Sequence, residues 1–112
     1  MTINYRSHSG EVVRFNPPHS RADYERLRSQ GVDVATLAVY ALTPPTNGVI
    51  HPTFWSRNKV VAAVREVGVD TFAALTADII DEYYSDRCAI RNALGTLIYR
   101  CHEYAATHSE GV

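Results

Sequence analysis

The chain has 112 residues, of which 46% are hydrophobic and 21% charged, with a formal net charge of −1. This length fits one domain with a single modest core, and this composition belongs to a folded chain rather than a disordered one. No apolar run approaches the roughly 20 residues of a membrane span, and the start from Met1 to Arg6 lacks a signal-peptide core, so a cytoplasmic protein without membrane association is expected.

The small net charge conceals an asymmetry. Residues 1–69 carry eight basic and five acidic residues, giving +3, whereas residues 70–112 carry three and seven, giving −4. The simplest expectation is that a basic half covers an acidic one.

In chain order, Ile3 to Arg6 and Glu11 to Phe15 are short β-prone runs around a Ser/Gly turn and read as a hairpin, ended by Pro17 and Pro18. Ser20, with Asp23 three residues on, is a helix N-cap. The helix it starts, over 22–30, has Tyr24 and Leu27 as its apolar edge and Arg21, Arg26 and Arg28 facing outward. Gly31 stops it by taking the left-handed position. Gly31-Val32-Asp33 then reads as a stop, a one-residue link and a new cap, which predicts a second helix over 34–42. The β-branched content of this segment leaves an α+β alternative in which residues 32–42 form a strand.

Residues 43–55 contain three prolines and the pair Asn47-Gly48, a turn signal, and are expected to form a structured loop. At its end, Phe54 and Trp55 either fold inward as lids on the core, the ordinary expectation for such rings, or stand out as an aromatic binding epitope. Ser56 is expected to cap a third helix over 57–67, whose apolar face is Val60, Val61, Ala63, Val64 and Val67. The tripeptide then recurs as Gly68-Val69-Asp70, predicting that Asp70 caps the last and longest segment.

That segment, 70–108, has no proline and a stripe at helical spacing that includes Phe72, Leu75, Ile79, Ile80, Tyr83, Ile90, Leu94, Leu97, Ile98, Cys101 and Tyr104. Its 39 residues would reach about 58 Å as one helix. Asp86 and Arg87 interrupt the stripe. They mark either a kink near Ser85-Asp86, with Asp86 capping a second helix, or charges that bridge to another chain. Cys88 and Cys101, about 20 Å apart on an unbroken helix, are expected to be free thiols with Cys101 in the core. The fold class is therefore mainly α: a small helical bundle built on a long C-terminal helix, with an N-terminal β-hairpin. It is expected as a single domain, with residues 1–16 as an arm, 20–67 as covering helices and loop, and 70–108 as a spine.

Motifs that carry chemistry are absent. There is no Gly-x-Gly-x-x-Gly, no Gly-x-x-x-x-Gly-Lys-Ser/Thr and no Cys-x-x-Cys, and His102 and His108 are six apart where a zinc-binding helix needs four. No catalytic residue, cofactor or metal is assigned. Gly68 stands where a helix-turn-helix has its turn, but the helix after it carries Asp70 and Asp78 and no basic residue before Arg87, which disfavours nucleic acid.

What fits is a non-enzymatic protein–protein interaction or regulatory module, such as an inhibitor or adaptor of the kind phages and mobile elements encode. A homodimer is expected, because so long a spine outreaches its own domain. The contact residues expected are Phe54, Trp55, Tyr83, Asp86, Arg87 and Arg91. The alternative is a small ligand-binding protein or enzyme in which Arg87, Arg91, Tyr83 and a histidine such as His102 receive an anionic ligand.

Overall fold

The computed structural model describes residues 2–7, 9–44, 47, 50–84 and 92–108. The described elements are β1 (Ile3–Arg6), β2 (Val12–Phe15), α1 (Arg21–Ser29), α2 (Val34–Leu42), α3 (Phe54–Val67), α4 (Val69–Tyr83) and α5 (Ala93–Thr107). The chain is mainly helical with a two-stranded antiparallel hairpin at its N-terminus. In the hairpin, Ile3 lies opposite Phe15 and Arg6 opposite Val12. Its open end is anchored, with Ile3 and Phe15 buried and Phe15 set edge-on to Tyr40 of α2 at 6.5 Å.

The caps decide where α1 and α2 begin and end. The Ser20 hydroxyl accepts from the Asp23 N–H at 3.1 Å. Gly31, at φ 95°, closes α1: its N–H donates to the Arg28 carbonyl and that of Val32 to the Leu27 carbonyl, the two bonds of a Schellman end. Leu27 and Val32 are both buried, as that motif prefers. Asp33 then caps α2, accepting from the Thr36 N–H at 3.1 Å. Six of the nine α2 residues are buried, so this central helix has no polar face. A segment apolar all round offers no period by which to tell helix from strand, which is why the strand alternative arose; it is excluded here.

Two helix starts differ from expectation. α3 begins at Phe54 and is capped by Thr53, whose hydroxyl oxygen accepts from the Ser56 N–H at 3.0 Å. Ser56 is thus the third helical residue, and Trp55 belongs to the first turn of α3 rather than to the loop. The second Gly-Val-Asp also works differently from the first. Gly68, at φ 90°, donates its N–H to Val64 at 2.8 Å and accepts the Phe72 N–H on its own carbonyl at 2.9 Å. One residue therefore ends α3 and begins α4, with no link, and Asp70 falls inside the first turn of α4, where it pairs with Arg28 instead of capping.

The stripe read as one spine is divided between α4 and α5. Glu82 forms an ion pair with Arg100, Nη2 to Oε1 at 3.0 Å, and the Tyr83 hydroxyl lies 3.1 Å from Thr96 Oγ1. On one straight helix, residues 82 and 100 would stand about 27 Å apart. The expected kink is thus a complete turn-back, and the two helices lie side by side; Ser85, Asp86, Arg87 and Cys88 lie outside the described residues. Phe72, Ile79 and Ile80 of α4 and Leu97 and Cys101 of α5 share one core with Tyr24, Leu37 and Val60. Cys101 is a free thiol, and burial pushes it up to about 11.

The expected attraction between the basic and acidic halves takes the form of specific pairs. Arg21 of α1 pairs with Asp78 and with Asp81 of α4, the latter at 3.0 Å, and Arg28 pairs with Asp70. These arginines do not simply face solvent, as their helical positions alone suggest. Exposed pairs contribute roughly 0–1 kcal/mol each, so they fix how α1 lies on α4 more than they hold the fold together.

Candidate functional site

A groove of about 570 Å³ opens at the end of the bundle where α2 finishes and where α3 and α5 start. Leu42, Thr43 and Pro44 form one wall, Trp55 and Ser56 a second, and Asn92, Leu94, Gly95, Thr96 and Tyr99 the third. Trp55 is 60% exposed and Tyr99 64% exposed.

Local rules place these side chains. The Thr53 cap fixes the first turn of α3 and buries Ser56, so Trp55, about 100° around the helix, is turned outward. Lys59, one turn on, holds its ammonium 5.9 Å from the centre of the indole ring, a cation–π contact that steadies it. On α5, Gly95 lies one turn before Tyr99 and on the same side. A methyl group at Gly95 would meet no atom within 4 Å. Packing therefore does not require the glycine, and its effect is to leave that wall of the groove bare. Thr96, beside it, is fixed by donating to the Asn92 carbonyl at 3.0 Å and by its bond to Tyr83. Among the described residues, the buried Thr43 Oγ1 has no hydrogen-bond partner.

Among the described residues, this end has no acidic side chain at either helix start: neither α3 nor α5 has an acidic residue in its first turn, and Asn92 makes no side-chain capping bond to α5. By contrast, α1 and α4 carry Asp23 and Asp70 there. No carboxylate, histidine, cysteine or lysine is among the described lining residues. Among the described residues, the groove therefore brings together no base–nucleophile pair and no acid–base pair. It suits an apolar or planar group held by burial and stacking.

Of the expected contact residues, Trp55 takes the exposed arrangement and not the lid. The Phe54 side chain and Asp86, Arg87 and Arg91 lie outside the described residues. Tyr83 is half-buried between α4 and α5, bonded to Thr96, whereas His102 Nδ1 is 2.7 Å from Glu66 Oε1 of α3. The tyrosine and the histidine expected at an anion site thus each bond a different partner, and the arginines of that site lie outside the described residues. Tyr99, Gly95 and Thr43 were not anticipated. The signals for the first two were present: Tyr99 is an aromatic residue off the apolar stripe, and Gly95 is the only glycine between residues 70 and 108.

Among the described residues, no group of three or more His, Cys, Asp or Glu comes together to hold a metal, and no helix is long and apolar enough to cross a membrane. Comparison with known proteins finds no matching family, no matching curated relative and no matching solved structure.

Proposed function

We propose that this chain is a non-enzymatic protein–protein interaction or regulatory module, an inhibitor or adaptor of a larger complex in the cytoplasm, with the Trp55–Tyr99 groove as its contact surface. The observation that carries this reading is the pair of large rings left exposed on either side of an open groove whose described walls hold no ionisable group but the Tyr99 phenol. Exposed aromatic anchors beside a concave apolar floor are what binding hot spots are made of. A chemical role lacks comparable support, since the described walls bring no reactive groups together.

The homodimer expected from a spine that outreaches its domain loses that ground, because α4 and α5 cover each other's apolar faces; a second copy of the chain as the partner is tested directly by light scattering. The main test is affinity capture from the native host with the wild-type chain and with a Trp55→Ala/Tyr99→Ala variant. One protein retained by the first and lost by the second is expected. Identical capture by both chains would overturn the assignment of the groove, and a monomeric mass at micromolar concentration would eliminate the dimer.

A further inference from the structure

We infer that the groove receives an acidic segment of a partner protein, one aliphatic or aromatic side chain entering between Trp55 and Tyr99 while a neighbouring carboxylate meets Lys59. This rests on the groove being a contact surface and adds the chemistry of what it contacts.

Charge complementarity carries the inference. The carboxylates of α4 are used inside the molecule: Asp70, Asp78, Asp81 and Glu82 each hold an arginine. α3 is the reverse. It carries Arg57, Lys59 and Arg65 against a single acid, Glu66, which is engaged by His102; of the three, Lys59 stands beside Trp55, whereas Arg57 lines a separate hollow with Asp33 and Arg65 lies in the last turn, at the far end of the helix. Among the described residues, none of the three cations has a carboxylate within ion-pair distance. The groove end of the bundle holds Lys59 and the starts of α3 and α5, whose aligned peptide dipoles add roughly half a positive charge each, with no acid in either first turn to offset them. A basic segment is repelled there and an acidic one attracted. Glu103, exposed one turn beyond Tyr99, carries the opposing charge on the α5 flank.

The walls argue for a protein segment over a nucleic acid. Leu42, Pro44 and Leu94, with bare Gly95, give an aliphatic surface suited to a branched or aromatic side chain. Strand binding instead needs a row of cations tracking successive phosphates, and the chain's single lysine is held over one ring.

Trp55 is the only tryptophan in the chain, so its emission reports occupancy of the groove without a label. The test selects random dodecapeptides displayed on phage against the full chain and titrates the enriched peptides, made synthetically, into it. The inference expects peptides of net negative charge bearing a Leu, Phe or Trp. They should shift Trp55 emission to the blue and bind at least about fivefold more weakly to Lys59→Glu and to Tyr99→Ala, with the Lys59→Glu loss recovered when the peptide's acids are exchanged for lysines. Circular dichroism confirms that each variant is folded. Peptides that shift Trp55 but are neutral or basic and indifferent to Lys59→Glu would overturn the acidic partner while leaving the groove as a contact surface. Enriched peptides that all leave Trp55 unmoved, or no enrichment, would overturn both readings. Saturation by a dodecamer of thymidylate more tightly than by any peptide would transfer the site to nucleic acid.

Discussion

On one side of the bundle, α1 lies on α4 with Arg21 against Asp78 and Asp81 and Arg28 against Asp70, and the apolar residues between them, Tyr24, Leu27, Phe72 and Ile80, are buried. On the other side, α3 lies along α5 with Val60, Ala63 and Leu97 buried, yet Trp55 and Tyr99 stand in solvent and Lys59 has a ring for a neighbour instead of a carboxylate. Both sides contribute to the same core, so burial alone does not distinguish them. The difference lies in what is left over. Among the described residues, the α1–α4 side matches charge to charge, whereas the α3–α5 side, apart from the Glu66–His102 pair, leaves exposed rings and a lysine with no carboxylate partner.

The strongest way to break this contrast is to compare truncations of an aromatic on each side. Phe72→Ala should cost about 3–5 kcal/mol in urea denaturation, whereas Trp55→Ala should change stability by no more than about 0.5 kcal/mol. Equal losses would show that the indole also holds the fold together. Gly95→Ala probes the bare wall: with nothing near the added methyl, thermal melting should show a gain of up to about 1 kcal/mol from helix propensity. A loss instead would mean that the glycine serves the fold and not the groove. Arg21→Ala should lower stability by less than about 1 kcal/mol, an effect that fades in about 1 M salt, where charges are screened within about 3 Å. A larger loss, indifferent to salt, would make the clasp a packing feature.

The smallest effect concerns acid. Hydrogen bonding to Arg100 holds the Glu82 carboxyl below its ordinary 4.5. Because the folded value is the lower one, its contribution is complete above the ordinary value and disappears as the pH falls through the folded one. Melts from neutral to acid pH should therefore fall less steeply in Glu82→Gln than in the wild type, and curves of the same slope would remove the ion pair from the account.

What was legible in the sequence is what neighbours along the chain decide. The Ser20 and Asp33 caps, the Gly31 stop and the hairpin follow from side chains within a few residues of one another. The start of α3 was harder, since Thr53 and Ser56 both carry a hydroxyl suited to an N-cap and only the helix phase chooses between them. The break in the last segment is marked locally by Asp86 and Arg87 in the apolar stripe, but that it is a full turn-back, like the matching of Arg21 with Asp81, 60 residues apart, is tertiary. The site was half visible: Trp55 was named, but with burial as the default for its ring, and the groove exists only because three helix ends meet.

Gly68 gives this architecture a property of its own. Since one residue both closes α3 and opens α4, the two helices are locked in phase with no slack between them. One residue inserted after Gly68 would turn α4 by about 100° and advance it by about 1.5 Å, taking Asp78 and Asp81 away from Arg21 and Phe72 out of the core. The length of that joint, and not only the side chains on either helix, determines which surface of the molecule is closed and which faces outward.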